Sequence, residues 1–255
     1  MKKRKIKLRY DNILAFVIVA ICLMVLIYSS FNIINWYISN KKNAEIKDEL
    51  KESIVIEEVP IEDNDDEIKE EYIIDFKELK AKNNDTIGYI KVNNTNIDYV
   101  VVQGKDNSYY LKHNFNKEWN ISGWIFGDYR NKFDGTDKNI IIYGHNTKDN
   151  SMFGTLKNVL NEEWYKNEDN QKIVYVDEKG THYYKIVSIY TITKSEAFMS
   201  VEFNENEFKE FINSIKSRSI YNFNIEVEEN DKLLTLSSCT PGGSGRVILH
   251  AKLID

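Results

Sequence analysis

The sequence predicts a mainly β protein, in which a closed β-barrel with a few peripheral helices follows one N-terminal transmembrane helix. Three observations support this fold class. Seven or more short β-rich runs occur after residue 85, and they do not alternate regularly with helices. The sixteen tyrosines and twelve phenylalanines of the 255-residue chain supply apolar mass for one sizeable core. Residues 13–38 contain no charged side chain, as a helix that crosses a bilayer requires.

The N-terminal part divides into a basic head, 1–12, and the apolar span, 13–38. The head carries six basic residues against Asp11, and the span exceeds the roughly 20 residues that cross a bilayer. The positive-inside rule therefore predicts a cytoplasmic head, an uncleaved single-pass anchor in the cell membrane and an extracellular remainder. Trp36 and Tyr37 lie where an interfacial aromatic belt is expected. A cleavable signal peptide is the alternative, but no A-x-A-like site follows the apolar run.

The next segment, 39–71, is predicted to be a solvated acidic stalk. It holds thirteen acidic residues against five lysines, and it contains Pro60. Helical spacing is weak and is confined to Ile46, Leu50 and Ile54. A helix that docks on the following domain is the alternative for part of this segment.

Residues 72–255 are predicted to form the globular domain. The formal net charge of -6 divides into +5 for 1–12, -8 for 39–71 and -3 for this domain, which has no dense basic patch. Nucleic acid is therefore not an expected partner.

Residue periodicity predicts the elements of this domain. Ile73, Phe76 and Leu79 recur at helical spacing, which predicts a helix from near residue 72 to near residue 83. A short helix is expected at 151–160, a clear amphipathic helix at 204–216 and a loop-rich stretch at 104–133. Strands are expected at 86–92, 96–102, 139–143, 172–176, 181–192, 232–239 and 246–253.

Cys239 is the first candidate for chemistry, because it ends a predicted strand while Arg246 opens the next. A thiol at a strand end can open into a groove, and a nearby cation favours the reactive thiolate. The other cysteine, Cys22, lies in the apolar span and is expected to face lipid or to pack. The competing interpretation of Cys239 is a small, buried, unreactive side chain.

His145 is the best of four candidate histidines for a partner. It follows a predicted strand and a glycine, so it too emerges at a strand end. His113 lies among loop residues, whereas His182 and His250 lie inside strands, where a structural role is expected. No pair has the spacing of zinc ligands, so we expect neither a metal site nor a cofactor.

Several stretches occur together in a fixed order. They are Thr-Ile-Gly-Tyr-Ile at 86–90, Asn-Ile-Asp-Tyr at 96–99, Gln-Gly-Lys-Asp-Asn-Ser-Tyr-Tyr at 103–110, Tyr-Gly-His-Asn at 143–146, the helix at 204–216, and Thr-Leu-Ser-Ser-Cys at 235–239 with Arg246 on the next strand. With the N-terminal anchor, this combination resembles the sortases, cysteine transpeptidases of Gram-positive cell surfaces, and class B in particular. The chain departs from the family pattern in Ser238, where threonine is usual, in Thr240-Pro241, where some members carry an acidic residue, and in a short turn before Arg246.

The resemblance implies an eight-stranded sortase-type barrel over residues 72–255 and a role for each site residue. Cys239 is expected to be the nucleophile that forms a thioester, His145 to transfer protons and Arg246 to stabilise the tetrahedral oxyanion. Amide cleavage by a thiol requires the same groups independently of the family, because it needs a thiolate, a proton donor and a fixed cation. Residues expected to contact substrate are Tyr143, Ser237 and Ser238.

The resemblance also implies the substrates. Surface proteins with an N-P-x-T-x or x-P-x-T-G-like sorting motif are expected to be cleaved after threonine and joined to an amine of a peptidoglycan precursor. A lysine of a pilin is an alternative acceptor, and water is another, which would make the protein a cysteine endopeptidase. Papain-like proteases place cysteine before histidine, which is the reverse of the order here. A membrane-tethered barrel that binds a partner without catalysis is the alternative from another class.

Overall fold

The computed structural model of the protein describes residues 10–61, 64–193, 200–239 and 244–254. The basic head up to residue 9 and the predicted turn at 240–243 lie outside the described residues. The elements in chain order are α1 (Tyr10–Lys51), β1 (Ile54–Ile61), β2 (Asn64–Ile74), α2 (Phe76–Lys82), β3 (Thr86–Val92), β4 (Asp98–Gln103), β5 (Phe126–Gly127), β6 (Asn139–Tyr143), α3 (Glu162–Tyr165), β7 (Lys172–Asp177), β8 (Gly180–Thr193), α4 (Glu205–Arg218), β9 (Leu233–Cys239) and β10 (Gly245–Leu253).

Eight strands form a closed barrel in the order β10-β8-β7-β3-β4-β5-β6-β9. The barrel confirms the predicted fold class. Most neighbours are antiparallel, but β6 lies parallel to β9 and β4 lies parallel to β5. Because β6 and β9 are parallel, their carboxyl ends reach the same edge of the barrel, and the loops that follow them start close together.

The two faces of β9 and β10 pack against different structures. On each strand, every second side chain fills the barrel interior, among them Leu234, Leu236 and Val247. Side chains of the alternate set, such as Leu233 and Ile248, lie in a second apolar cluster beneath α4. Alternate residues of a strand point to opposite faces, so this difference identifies the outer face of the two strands.

Helix α4 covers part of that outer face. Phe208, Phe211, Ile212 and Ile215 are buried at the helical spacing that the sequence predicts. Asn204 begins the helix with a capping box, in which its side chain accepts from the Glu207 amide and Glu207 reaches back to the Asn204 amide. The capping box explains why the helix starts one residue after Asn204.

Helix α1 corrects the expectation of a solvated stalk over residues 39–71. The helix continues without a break to Lys51, and Asn43, Ile46 and Leu50 of its last three turns are buried against the barrel. These positions recur every three or four residues and so form a single stripe. The structure therefore has the docked helix that the sequence left as the alternative for this part.

The remainder of that segment forms a hairpin. Strand β1 pairs with β2 from Ile54 opposite Ile74 onwards. Tyr72 and Ile73 therefore belong to a strand, not to the first turn of the predicted helix. Helix α2 begins only at Phe76, because the Asp75 side chain accepts from the Glu78 amide at 2.8 Å and caps the helix there.

Two smaller elements differ from the predictions because they are short. Residues 151–160 do not form an α-helix, and only Leu156–Leu160 adopt a 3-10 helix. Strand β5 has two residues and lies inside the stretch that was expected to be loop. Two residues cannot show an alternating pattern in a sequence, although β5 is required to close the barrel between β4 and β6.

Candidate active site

The ends of β9 and β10 bring two of the predicted residues together. Cys239 is paired with Arg246 in the antiparallel register, and Ser237 is paired with Ile248. Residues directly opposite each other in such a pair share a face. Positions 237, 239 and 246 therefore belong to the outer face of the barrel, the same face as Leu233 and Ile248.

Ser238 lies on the other face. It is opposite Val247, whose side chain is part of the barrel interior, and its own side chain is 2% exposed. The pleat thus separates Ser238 from the face of Cys239 and Arg246, whereas Ser237 shares it. Both hydroxyls are buried, and neither has a hydrogen-bond partner within the described residues.

His145 reaches the same edge of the barrel from β6. That strand ends at Tyr143, which is opposite Ser237 in the parallel register. The Gly144 amide donates to the Ser237 carbonyl at 3.2 Å. Glycine is needed here because a Cβ at position 144 would lie 2.5 Å from Cγ of Phe153. The turn after β6 is therefore packed tightly, and it fixes where His145 begins.

A hydrogen bond also fixes the ring of His145. Its Nε2 lies 2.8 Å from the Leu111 carbonyl oxygen. A carbonyl only accepts, so Nε2 carries the proton, and in the neutral ring Nδ1 is the free base. The Phe153 amide donates to the His145 carbonyl at 3.0 Å. His145 is thus held in one tautomer with one nitrogen available for proton transfer.

A buried carboxylate that sequence reasoning missed supports Tyr143. Asp128 is fully buried and accepts from the Tyr143 hydroxyl at 2.7 Å, from the Asn107 amide at 2.9 Å and from the Arg130 guanidinium at 2.7 and 2.8 Å. Burial by itself would raise the pKa of Asp128, but these hydrogen bonds outweigh it and lower the pKa. Asp128 is therefore an anion that holds Tyr143 in place. No sequence signal distinguished it from other loop aspartates.

The charge of Arg246 acts on Tyr143. Burial raises the pKa of Tyr143, and Asp128 raises it further, whereas Arg130 and Arg246 lower it. Arg246 is partly buried. No hydrogen bond or ion pair joins its guanidinium to a side chain that the structure describes. Its donors are therefore not committed to another described group.

The other histidines have structural positions. His250 is fully buried between Thr235 and Tyr190, whose hydroxyls lie 2.8 Å from its two ring nitrogens, and burial lowers its pKa to about 3. His182 lies 3.2 Å from Asp177, and His113 stacks on Tyr109. Among the described residues, no group of three or more histidine, cysteine, aspartate or glutamate side chains is arranged to hold a metal ion.

Comparison with known proteins decides the family. The family model of the sortase domain matches residues 90–254. The chain belongs to the sortase family. The relatives of this sortase are of class B: sortase B of Listeria monocytogenes is 32% identical over 238 residues, which is 92% of this chain and 94% of that protein.

Solved structures agree with this assignment. Sortase B of Bacillus anthracis in complex with AAEK1 matches the sortase described here with a TM-score of 0.73 at 31% identity, over 86% of this chain and 99% of that chain. A Staphylococcus aureus sortase B-substrate complex matches with a TM-score of 0.66 at 31% identity, over 71% of this chain and 84% of that chain. The protein is thus a cysteine transpeptidase of the sortase type, and the interpretation as a non-catalytic binding module is wrong.

Proposed function

We propose that this sortase acts at the cell surface, cleaves a C-terminal sorting motif after its threonine, holds the acyl group as a thioester on Cys239 and transfers it to an amine of a peptidoglycan precursor. The observation that carries the proposal is the convergence of three chain positions at one edge of the barrel. Cys239 is paired with Arg246, and the parallel neighbour of β9 ends two residues before His145.

The proposed roles follow from the chemistry of the three groups. His145 takes the thiol proton of Cys239, the resulting thiolate attacks the threonine carbonyl to form the new carbon–sulfur bond, and the Arg246 guanidinium donates to the oxyanion of the tetrahedral intermediate. The carbon–nitrogen bond then breaks as His145 protonates the leaving amine. In the second half, His145 takes a proton from the incoming amine, which forms the new amide and releases the thiolate.

Substrate contacts are proposed for the outer face that these residues share. Tyr143 and Ser237 are opposite each other on neighbouring strands next to His145 and Cys239, which supports both as residues of the substrate groove. Ser238 was predicted with them, but its position opposite Val247, on the interior face, favours packing instead. A sorting peptide of the N-P-x-T-x or x-P-x-T-G type is the proposed partner, in keeping with the relative that was solved as a substrate complex.

The proposed location is the outer side of the cell membrane. The apolar part of helix α1 is long enough to cross a bilayer. The basic residues before it favour a cytoplasmic head at 1–12, an anchor at 13–38 and an extracellular catalytic domain at 72–255. The docked end of α1 and the hairpin then join the anchor to that domain.

Product analysis tests the proposal. The purified full-length protein is incubated with a panel of N-P-x-T-x and x-P-x-T-G peptides, with and without an amine acceptor, and the products are identified by mass spectrometry. A threonine-linked adduct that needs both Cys239 and the amine is expected, with Cys239→Ala as the control. Hydrolysis alone at every amine concentration would indicate a peptidase, and the absence of a Cys239 thioester with every peptide would refute the proposed substrates. Preference for a pilin lysine over a wall-precursor amine would change only the acceptor.

A further inference from the structure

A cavity of about 470 Å³ separates helix α1 from the loop that carries His145. Its α1 wall consists of Asn32, Ile33 and Trp36. The opposite wall belongs to the catalytic domain and consists of Ile121, Ser122 and residues 145–148. One wall of this cavity is thus the active-site loop, and the other is the helix that is proposed to cross the membrane.

The length of α1 sets the depth of the cavity relative to the bilayer. The apolar part of the helix starts at Ile13. A hydrocarbon core of about 30 Å takes about 20 residues at a rise of 1.5 Å each. The helix therefore leaves the hydrocarbon near Asn32, and Trp36 lies in the interfacial layer that tryptophan prefers. The cavity is at the same level, among the lipid headgroups.

Apolar side chains are exposed on the segment of the domain that forms this wall. Ile121 is 45% exposed and Trp119 is 62% exposed. Their neighbours in the chain contact α1 directly: the Asn120 amide donates to the Ser39 carbonyl at 2.9 Å, and Glu118 lies 2.6 Å from Lys42. Large exposed apolar groups next to a membrane helix are typical of a surface that contacts lipid.

Further hydrogen bonds connect α1 to the domain at this level. The Asn43 side chain donates to the Gly123 carbonyl at 3.0 Å, and the Asn40 side chain donates to Asp149 at 2.6 Å. Asp149 belongs to the loop that follows His145. Because these contacts join both the 118–123 segment and the His145 loop to the helix, the depth of Trp36 determines the depth of Ile121.

The wall of the cavity also carries a cation. Lys148 is exposed and lines the cavity beside His145. A lysine at headgroup level attracts the phosphate of a phospholipid, while Ile33 and Ile121 offer an apolar path for its acyl chains. The lining of the cavity thus matches a phospholipid, because it is apolar on the side towards the bilayer and charged on the side towards the active site.

We propose that Trp119 and Ile121 form a surface that contacts the outer leaflet of the membrane, and that an outer-leaflet phospholipid occupies the cavity beside His145. The proposal rests on the proposed span and orientation of α1. It places the active site directly against the membrane, not at the end of a stalk.

Fluorescence quenching by brominated phospholipids tests this surface. The full-length protein is reconstituted into nanodiscs of phosphatidylglycerol and phosphatidylethanolamine with bromines near the headgroup. In a background with Trp36→Phe and Trp119→Phe, the change Ile121→Trp introduces a reporter, and Trp124 and Trp164, which are 1% and 7% exposed, give the remaining emission. The matched control is Ile220→Trp in the same background, because Ile220 is 50% exposed and lines no part of the cavity.

The brominated lipid is expected to quench the reporter at position 121 severalfold more strongly than the one at position 220. Equal quenching at the two positions, or self-association through position 121 instead of lipid contact, would overturn the proposal. If the Ile121→Trp variant does not fold, native Trp119 in a Trp36→Phe variant serves as the reporter. A Trp119→Phe variant, which retains Trp36, tests the anchor. Quenching of Trp36 without quenching at position 121 would refute the lipid-contacting surface alone. Absence of Trp36 quenching would refute the membrane span as well.

Discussion

Among single residues, the proposed oxyanion role of Arg246 depends on its register with Cys239. The antiparallel pairing places the two residues side by side, and the Arg246 guanidinium has no hydrogen bond to a described side chain. A planar guanidinium can donate two parallel hydrogen bonds to a developing oxyanion, which an ammonium cannot do. The geometry of the donor, and not only its charge, should therefore matter.

Arg246→Lys tests this role. We expect kcat/KM for a cleaved peptide to fall by about 100-fold or more, the usual cost of losing one oxyanion donor, while the thermal melting temperature changes little. The measurement is steady-state cleavage of the best peptide from the panel, with Arg218→Lys on helix α4 as the control. A rate for Arg246→Lys within a few-fold of the wild type would refute the oxyanion role.

Asp128 is a second residue whose role follows from its contacts. Asp128→Asn keeps the size of the side chain but removes the charge that pairs with Arg130, so we expect a loss of about 2–3 kcal/mol of stability. Tyr143→Phe removes a single hydrogen bond and should cost about 1 kcal/mol. Denaturation of the two variants and their KM values for peptide measure the difference. Equal stability of Asp128→Asn and wild type would contradict a structural charge at this position.

Burial of the His250 ring should make the stability of the protein depend on pH. Burial lowers its pKa to about 3 in the folded protein, whereas the unfolded chain takes up the proton near pH 6.5. The unfolded state therefore binds more protons between these values, so stability is complete above about pH 6.5 and decreases as the pH falls towards 3. Melting temperatures at pH 7 and pH 5 should differ less in His250→Gln than in wild type. His113→Gln, on a loop, is the control, and an unchanged pH dependence in His250→Gln would exclude His250 as the cause.

At the scale of elements, the last turns of α1 behave as part of the domain. Ile46 and Leu50 belong to the same apolar cluster as the barrel interior and β2 residue Tyr72. Lys51 also reaches Asp98 at 3.1 Å, and Lys82 of α2 reaches Glu49 at 3.1 Å. The exposed ion pairs add little, so the apolar stripe should account for most of the docking energy.

Leu50→Ala tests the docking. Leu50 is 2% exposed, and removing a buried leucine side chain costs about 2–5 kcal/mol. We expect the melting temperature of the full-length protein in detergent to fall by several degrees. Glu45→Ala on the exposed face of the same helix is the matched control and should change it little. Identical melting temperatures for Leu50→Ala and Glu45→Ala would mean that the helix end does not dock.

At the scale of the whole molecule, the direction of α1 determines which compartment holds the active site. The helix begins outside the catalytic domain and ends against it, so the proposed span puts the domain on the side of the membrane that Lys51 faces. The basic residues at the other end favour the cytoplasm for the N-terminus. Cys239, the proposed nucleophile, would then face secreted proteins that emerge beside it.

Protease treatment of intact, wall-stripped cells tests this orientation. We expect external protease to remove the domain from the full-length protein, because the proposed orientation places every residue after the span outside the cell. Detection uses an antibody against the domain, with a known cytoplasmic protein as the protected control. Survival of the full-length chain while other surface proteins are digested would contradict the orientation.

Features that depend on local pattern could be predicted from the amino-acid sequence. The strands at 86–92 and 139–143 have the predicted bounds, and helix α4 has the predicted apolar face, because alternation and helical spacing are properties of neighbouring residues. The ordered motifs around His145 and Cys239 also identified the family before any geometry was known, since they combine residue type with position along the chain.

Features that depend on contacts between distant residues became visible only in the folded protein. Helix α1 continues through residues 39–51 because Asn43, Ile46 and Leu50 find partners on a barrel that lies far along the sequence, and the acidic composition gives no sign of those partners. The two residues of β5 become a strand only between β4 and β6. Asp128 is set apart from other aspartates because folding buries it against Tyr143 and Arg130, where its charge must be paired. Ser238 lies on the interior face for a similar reason, because barrel closure decides which face of a strand meets solvent.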